Sequence, residues 1–293
     1  MAESMIYIDG KFYPKSEAKV SVFDHGLLYG DGVFEGIRAY HGQVFLCKQH
    51  IDRLYEGAHC LKIAIPYSKS EMRDIIYASL KQNNLTDAYI RLLVTRGVGD
   101  LGLSPKKCTD KGTVICIAAS IALYPEELYR TGLPIITAAT VRAHPETLNP
   151  RVKSLNYLSN IFAKMEAENA GCEEAVMLNH RGEVSECTGD NLFVVKKGVL
   201  RTTPVSAVIL EGCTRNCILE IARNSGIETR EETLARYDLY TADEFFLTGS
   251  GAELIPVTSL DGRSIGDGKP GPMTLDLLAK FRQFAKDYRD TGV

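Results

Sequence analysis

The first third of the chain alternates apolar and polar positions with a strand period and then changes to a helical period. Hairpins are predicted for "MIYIDGKFYP", turning at Asp9-Gly10, and for "GVFEGIRAYHGQVFL", turning at His41-Gly42. Apolar residues three and four positions apart predict helices in "CKQHIDRLYEGAHCLKI" and "SKSEMRDIIYASLKQNN". Strand patterns return in "DAYIRLLVTRG" and "GTVICIAAS". Together these elements predict an α/β domain.

The second part of the chain is richer in strands. Strands are predicted in "PIITAATVRAH", in the meander "EEAVMLNHRGEVSECTGDNLFVVKKGVLRTTP" and in "DEFFLTGSGAELIPV". Helices are predicted in "TRNCILEIARNSG" and in the amphipathic "PMTLDLLAKFRQFAKDYRD". A connector lies around "IALYPEELYRTG". We therefore predict a small α/β domain over residues 1–120, a connector over 121–131 and a larger domain over 132–293.

A lysine precedes a helical pattern that starts within "NPRVKSLNYLSN". The helix is predicted to begin after Ser154, to end at Gly171 and to turn its apolar stripe inward. Most lysines are solvated, and this is the simplest interpretation of Lys153. The alternative is that its amine is covalently occupied. The predicted inward stripe consists of Leu155, Leu158, Phe162 and Met165.

Composition excludes two classes of function. The chain has 293 residues, 45% hydrophobic and 24% charged, as is typical of globular proteins. A net charge of -3 without a long basic stretch argues against nucleic acid as a partner. No apolar run approaches the roughly twenty residues of a spanning helix. The N-terminal "MAESMIYIDGKFYP" has strand and turn character, so we expect neither a signal peptide nor a membrane partner.

The eight cysteines are scattered through the chain. The closest pair is Cys213 and Cys217, one helical turn apart, and further Cys or His at zinc-ligand spacing is missing around it. We therefore expect no metal, reduced thiols and a cytoplasmic protein.

Three segments have features of an anion site. Gly212 is predicted to lie in a turn with Thr214 at the N-cap of a helix, where amides and a hydroxyl converge. Small residues at Gly249-Ser250-Gly251 end a strand and expose amides. Arg53 could add a guanidinium. Glycine-rich strand ends are most often plain turns and such arginines are usually solvated, so these segments together suggest an anion without identifying it.

Glu186 follows a strand in "GEVSECTGDNLF". A surface glutamate is the simplest interpretation. The alternative is a carboxylate that keeps a ring nitrogen protonated, as pyridoxal 5′-phosphate requires beside a lysine for its aldehyde and a phosphate site. Lys153, Glu186, Thr214 and Ser250 would supply these groups. A catalytically inactive α/β binding protein would explain the composition equally well, but it would not need all of these groups together.

With these groups in place, the chain resembles the class IV (fold type IV) pyridoxal-phosphate aminotransferases, specifically branched-chain amino acid aminotransferases of bacterial or archaeal type. The matching stretches occur in the family's order and span nearly the whole chain. They are "FDHGLLYGDGVFEGIRAY", "HIDRL", "YIRLLVTRGVGDLGLSP", "VKSLNYLSNIFAKMEA", "SECTGDNLF", "LEGCTRNCILEIA" and "LTGSGAELIPV".

The resemblance implies the roles of the cofactor residues. Lys153 is the catalytic lysine that carries pyridoxal 5′-phosphate, Glu186 holds the ring nitrogen and Tyr157 the ring hydroxyl. The family usually has Ile or Val at Cys213 and Thr at Ser250, and both changes keep the amide or hydroxyl. Leu210 packs on the ring, and the phosphate is held by Arg53, Thr214, Ser250 and the amide of Cys213.

The resemblance also implies the substrate contacts. Tyr89, with the amides of Ser250 and Gly251, is expected to bind the α-carboxylate. Arg91, with Tyr29 of a partner subunit, is expected to bind the side-chain carboxylate of glutamate. The strand period places Tyr89 and Arg91 on one face. The side-chain pocket would be lined by Phe34, Gly36 and Arg38.

The implied fold is an α/β (α+β) fold type IV enzyme, with a small α/β domain, a larger domain of barrel-like sheet and the cofactor between them. The implied reaction is a ping-pong transfer of the amino group of L-leucine, L-isoleucine or L-valine to 2-oxoglutarate, which gives the 2-oxo acid and glutamate, in a homodimer or higher homo-oligomer. A D-amino acid aminotransferase or an aminodeoxychorismate lyase would share Lys153 and Glu186. The loop "VGDLGLSP" lacks the Arg and His that D-specific enzymes usually carry, which favours the branched-chain interpretation.

Overall fold

The computed structural model describes residues 3–108, 111–120 and 123–293. The chain forms two compact units. Unit 1 comprises Met1–Ile121, Val152–Asn156 and Ala285–Val293, and unit 2 comprises Ala122–Arg151 and Tyr157–Phe284. A division of the chain at residues 121–131 alone would place the two short segments of unit 1 in the larger domain. The segment that carries Lys153 is one of them.

The helices and strands occur in both units. The helices are α1 (His25–Tyr29), α2 (Cys47–Cys60), α3 (Lys69–Gln82), α4 (Glu126–Thr131), α5 (Leu158–Asn169), α6 (Cys213–Asn224), α7 (Arg236–Tyr240) and α8 (Pro272–Asp287). The strands of unit 1 are β1 (Met5–Ile8), β2 (Lys11–Pro14), β3 (Gly32–Tyr40), β4 (Gln43–Val44), β5 (Ala88–Thr95) and β6 (Val114–Ala119). The strands of unit 2 are β7 (Leu133–Thr137), β8 (Glu174–Leu178), β9 (Val184–Cys187), β10 (Asn191–Lys196), β11 (Val199–Thr202), β12 (Thr229–Glu231), β13 (Glu244–Gly249), β14 (Glu253–Leu260) and β15 (Arg263–Ser264).

Unit 1 is built on a six-stranded antiparallel sheet in the order β2-β1-β6-β5-β3-β4. Both predicted hairpins are confirmed. Asp9 and Gly10 have φ values of 44° and 90°, and His41 and Gly42 have 49° and 77°, as a two-residue turn between twisted strands requires. The predicted helices α2 and α3 are also confirmed, and they contribute to the core of this unit. The core includes Ile37, Ile51, Leu54, Met72, Ile76, Ile90 and Leu92.

Unit 2 is built on a curled nine-stranded sheet in the order β12-β11-β10-β13-β14-β7-β8-β9, with β15 paired to β14. Most neighbours are antiparallel, but β7 is parallel to both β8 and β14, and β11 is parallel to β12. The predicted turn at Lys197-Gly198 is confirmed between β10 and β11. The predicted connector contains α4, in which Tyr129 is buried and donates from its hydroxyl to the carbonyl of Ala252 at 2.9 Å.

The prediction for α5 was wrong in two respects. The helix begins at Leu158 instead of directly after Ser154, and its large apolar residues face outward. Leu158 is 67% exposed, Phe162 53% and Met165 50%. The inward face is formed by smaller residues: Ala163 and Ala167 pack against Ala138, Ala175 and Met177. Small alanines allow close approach of the helix to the sheet, and the apolar period alone could not distinguish the two faces.

Within residues 3–108, 111–120 and 123–293, none of the helices is both long and apolar enough to cross a membrane. All eight cysteines fall in these ranges, and none of them is in a disulfide.

Candidate active site

The backbone of Lys153 is held by the edge of the unit 1 sheet. The amide of Phe34 donates to the carbonyl of Lys153 at 2.9 Å, and the amide of Leu155 donates to the carbonyl of Gly32 at 2.9 Å. The segment therefore extends the sheet beside the first residues of β3. Its position is fixed by sheet hydrogen bonds, so Lys153 is held before α5 begins.

The amine of Lys153 lies among residues for which the family resemblance implies substrate contacts. Its Nζ is 4.6 Å from the ring centroid of Phe34, and the guanidinium carbon of Arg91 is 4.5 Å from the same centroid. Nη2 of Arg91 donates to the hydroxyl of Tyr89 at 3.2 Å. Cations at this distance from an aromatic ring are attracted to its face. The fold thus brings a primary amine, an aromatic ring, a guanidinium and a phenol together within unit 1.

Gly36 makes room for Tyr89. A Cβ added to Gly36 would lie 2.1 Å from the hydroxyl oxygen of Tyr89, so any larger residue would have to displace the phenol. Gly36 is paired with Arg91 in the sheet register, and Arg38 is paired with Tyr89. Phe34, Gly36 and Arg38 therefore share a face of the sheet with Tyr89 and Arg91.

Arg53 is fixed on α2 by a carboxylate from β3. Its Nε donates to Oε1 of Glu35 at 2.8 Å and its Nη2 donates to Oε2 at 2.7 Å. The ring Nδ1 of His50 lies 2.7 Å from Oε2 of the same carboxylate, which is fully buried. Burial alone would raise the pKa of Glu35, but Arg53 and His50 outweigh it and lower the pKa to about 2. Glu35 is therefore an anion in the folded protein at neutral pH.

Tyr29 ends α1, and its hydroxyl accepts a hydrogen bond from the amide of Gly102 at 2.9 Å. The ring of His25 packs edge-on against it, with the centroids 4.9 Å apart. Nε2 of His25 lies 3.0 Å from the carbonyl of Asp100. The loop after β5 and the helix α1 thus hold Tyr29 from two sides.

Glu186 is the centre of a buried polar cluster in unit 2. Its Oε1 accepts from Nη2 of Arg142 at 2.5 Å and from the amide of Leu210 at 3.0 Å. Its Oε2 accepts from Nδ2 of Asn191 at 2.9 Å, and the same amide group donates to the carbonyl of Leu210. Glu186 and Arg142 are only 5% and 8% exposed. This carboxylate is oriented by donors from three different segments of the chain.

The start of α6 differs by two residues from the prediction. The N-cap is Gly212, and Thr214 is buried in the first turn instead of capping the helix. Amides of a first turn lack acceptors within their own helix and point at anions. A Cβ on Gly212 would lie 2.0 Å from Oδ1 of Asn191, and one on Gly249 would lie 2.0 Å from Oδ1 of Asp190. A side chain at either glycine would therefore have to displace the neighbouring Asn191 or Asp190.

Ser250 and Gly251 form the turn between β13 and β14, and both are half-buried. Thr248 lies two residues before Ser250. Its side chain is buried, and its hydroxyl lacks a hydrogen-bond partner among the described residues. Tyr157 occupies the N-cap of α5 and is also half-buried. A buried hydroxyl without a partner is destabilising, and the hydroxyl of Thr248 fits a site that a polar ligand completes.

Comparison with known proteins places this geometry in a family. The model of the family described as amino-transferase class IV matches residues 32–260. A putative branched-chain-amino-acid aminotransferase of Methanocaldococcus jannaschii is 54% identical over 277 residues, which cover 94% of this chain and 95% of the relative. The crystal structure of the branched-chain amino acid aminotransferase of Escherichia coli superposes with a TM-score of 0.94 at 35% identity, covering 99% of this chain and 97% of that one.

A third similar protein was solved with the cofactor. The branched-chain amino acid aminotransferase of Thermobaculum terrenum, in its PLP-containing holo form, superposes with a TM-score of 0.87 at 29% identity, covering 99% of this chain and 95% of that one. The fold and these comparisons define a pyridoxal-phosphate-dependent transaminase. The chain belongs to the class IV aminotransferases, and the family and fold class expected from the sequence are confirmed.

The residues present fit pyridoxal 5′-phosphate. A buried carboxylate, an amine held on a sheet edge and the first-turn amides of α6 are groups that this cofactor needs, and the buried hydroxyl of Thr248 lacks a partner among the described residues. Sequence reasoning missed Arg142 and Asn191, and it missed Glu35 and His50. His50 and Arg53 are three residues apart on α2, a spacing that places both on one helix face and could have drawn attention to the pair.

Proposed function

We propose that this chain transfers the amino group of L-leucine, L-isoleucine or L-valine to 2-oxoglutarate. The observation that carries the proposal is the cluster of Lys153, Phe34, Arg91 and Tyr89 in unit 1. It combines an amine with an apolar ring for an aliphatic side chain and with a guanidinium for a second carboxylate. The names of the similar proteins support branched-chain amino acids as the amino donors.

Pyridoxal 5′-phosphate supplies an electron sink next to the substrate α-carbon. Lys153 would hold the cofactor covalently, and its amine would move the proton from the α-carbon during transfer. Glu186 would keep the ring nitrogen protonated, and Tyr157 would bind the ring hydroxyl. Leu210 would pack on the ring. The phosphate would be held by Arg53, Thr214, Ser250 and the amide of Cys213.

Two carboxylates have to be bound in turn. Tyr89 and the amides of Ser250 and Gly251 would bind the α-carboxylate that every substrate carries. Arg91 would meet the side-chain carboxylate of glutamate with its planar set of N–H donors. When leucine is bound, the hydroxyl of Tyr89 and the face of Phe34 give Arg91 alternative contacts at 3.2 Å and 4.5 Å. Phe34, Gly36 and Arg38 would line the side-chain pocket.

We further propose that the active form is a homodimer or higher homo-oligomer. The residues next to Tyr29 expose large apolar side chains, including Leu27 at 62% and Leu103 at 83%. The segment of Phe23 and the segment after β5 are joined by a hydrogen bond from the amide of Gly99 to the carbonyl of Phe23. An exposed apolar surface on adjoining segments is typical of a subunit interface. It would allow Tyr29 to reach the glutamate carboxylate in a partner subunit. The cytoplasmic location is a proposal that rests on the cysteine usage of the sequence.

Spectroscopy of the two half-reactions tests the proposed function. The purified protein is loaded with pyridoxal 5′-phosphate. One sample is mixed with L-leucine and a second sample with D-alanine. We expect L-leucine to convert the cofactor absorbance to that of the amine form, and 2-oxoglutarate to restore it. Conversion by D-alanine but not by L-leucine would contradict the proposal and favour a D-amino acid aminotransferase. Lack of conversion by either, with release of pyruvate from aminodeoxychorismate, would favour the lyase.

A further inference from the structure

The buried network of Glu35, His50 and Arg53 is more elaborate than an arginine at a phosphate site requires. Glu35 is on β3 between Phe34 and Gly36, and strand alternation turns its side chain to the opposite face, toward α2. There it accepts from two nitrogens of Arg53 and lies within hydrogen-bond distance of His50. One carboxylate thus connects the strand of the proposed substrate pocket with the helix of the proposed phosphate arginine.

The three side chains are buried to different extents. Glu35 is 0% exposed and His50 2%, whereas Arg53 is 13% exposed. The carboxylate and the imidazole are shielded from water, whereas the side chain of Arg53 is partly exposed. A guanidinium is planar, so two hydrogen bonds along its Nε–Nη2 edge fix both the direction and the plane of the group. The Nη1 side is thereby turned away from Glu35.

We propose that Glu35 and His50 are positioning residues that fix the guanidinium of Arg53 for the 5′-phosphate of the cofactor. This inference rests on the proposed role of Arg53. Glu35 orients Arg53 through two hydrogen bonds. His50 holds Oε2 of Glu35 and so keeps the carboxylate coplanar with the guanidinium, as both bonds require. The network selects a phosphorylated cofactor over the same ring without phosphate.

A simple electrostatic role and the positioning role give opposite expectations. Glu35 is an anion, so a neutral residue in its place should strengthen phosphate binding if only charge mattered. If Glu35 positions Arg53, the same change should weaken phosphate binding. In Glu35→Gln the amide NH2 group would replace one carboxylate oxygen, and in either orientation it would face an N–H of Arg53. Two donors cannot bond to each other, so the guanidinium has to turn.

The test compares cofactors with and without the phosphate. Dissociation constants of pyridoxal 5′-phosphate and of pyridoxal are measured by equilibrium dialysis against the apoenzyme of the wild type and of each variant. We expect Glu35→Gln to weaken pyridoxal 5′-phosphate by about 10- to 100-fold, the range for loss of hydrogen bonds to a charged group, and to change pyridoxal by less than about twofold. In an Arg53→Ala background, Glu35→Gln should have no further effect on the ratio of the two constants.

Four further variants make the result independent of folding. His50→Asn keeps a donor near the position of Nδ1, whereas His50→Leu removes it, so only His50→Leu should lower the preference for the phosphorylated cofactor. Glu35→Asp keeps the charge but shortens the side chain, and it should lower the preference as well. Glu244→Gln is the matched control, because Glu244 is a buried acid that accepts three hydrogen bonds from Met273 and Thr274. It should leave the preference unchanged.

The experiment distinguishes failure of the proposed phosphate site from failure of the positioning role. Wild-type protein without any preference for pyridoxal 5′-phosphate over pyridoxal would contradict the proposed phosphate site itself. A wild-type preference that survives Glu35→Gln, Glu35→Asp and His50→Leu, or tighter binding of pyridoxal 5′-phosphate in Glu35→Gln, would overturn the positioning role alone. Equal weakening of both cofactors would show that the network is only structural.

Discussion

Arg142 donates from Nη2 to Oε1 of Glu186 at 2.5 Å, and both side chains are buried in unit 2. Neither charge would be tolerated there alone, because removal of water from an isolated ion is unfavourable by several kcal/mol. The pair therefore keeps a carboxylate in the interior, where Asn191 and the amide of Leu210 orient it further. An oriented buried carboxylate is what a protonated ring nitrogen needs as a partner.

The first prediction concerns the coupling within this pair. Arg142→Met should lower the free energy of unfolding of the apoenzyme by about 3–5 kcal/mol, because it leaves Glu186 buried without its counter-charge. Glu186→Gln should relieve part of that loss, so the two changes together should be less harmful than the sum of the single changes. Urea unfolding of the four proteins measures this coupling. Strict additivity would show that the pair is not energetically linked.

The second prediction concerns how one pocket serves leucine and glutamate. Arg91→Ala should weaken the glutamate and 2-oxoglutarate half-reaction by about 2–3 kcal/mol, or roughly 30- to 150-fold in kcat/KM, because a charged oxygen loses its donors. The leucine half-reaction should change far less. Single-turnover kinetics separates the two. Equal losses for both substrates would place Arg91 on the shared α-carboxylate and contradict the role given to Tyr89.

The third prediction concerns a buried acid outside the proposed site. Burial raises the pKa of Glu174 above its ordinary value of 4.5, although hydrogen bonds from the amides of Ala175 and Thr188 oppose the shift. The folded protein therefore keeps this proton at pH values where the unfolded chain has released it. Stability is lost as the pH rises above about 4.5, up to the raised pKa of the fold.

Glu174→Gln should remove this pH dependence, because its amide oxygen can accept both hydrogen bonds without ionising. The melting temperature of the variant relative to the wild type should rise between pH 5 and pH 8. Glu173→Gln is the control, since Glu173 is the next residue along the chain and its side chain is 59% exposed. A difference between Glu174→Gln and wild type that is constant with pH would contradict the raised pKa.

Local features of the fold were predictable from the sequence, and tertiary ones less so. The turns at Asp9-Gly10 and His41-Gly42 followed from residue types that tolerate positive φ. The outward stripe of α5 was misassigned because periodicity reveals that an apolar face exists but not what covers it. Arg142 is 44 residues from Glu186 in the chain, so their pairing depends on the sheet of unit 2. The N-cap of α6 is Gly212 and not Thr214, and the close approach of Asn191 to Gly212 depends on the tertiary fold, which the local sequence does not reveal.

The arrangement of the proposed substrate residues could be predicted from the sequence only in part. The two-residue period correctly placed Tyr89 with Arg91 on one strand face. It could not show that Gly36 is opposite them and accommodates the phenol of Tyr89, since this depends on the register between β3 and β5. Lys153 was singled out by its position before a helix, whereas the structure holds it through hydrogen bonds to β3.

The central claim is that Lys153 carries the cofactor, and reduction with borohydride tests it most directly. The holoenzyme is reduced, digested and mapped by mass spectrometry, with Lys153→Ala treated in parallel. We expect a phosphopyridoxyl label on the peptide that contains Lys153, and neither that label nor amino transfer from L-leucine in Lys153→Ala. A label on any other lysine of the wild type, or turnover by Lys153→Ala at the wild-type rate, would contradict the account.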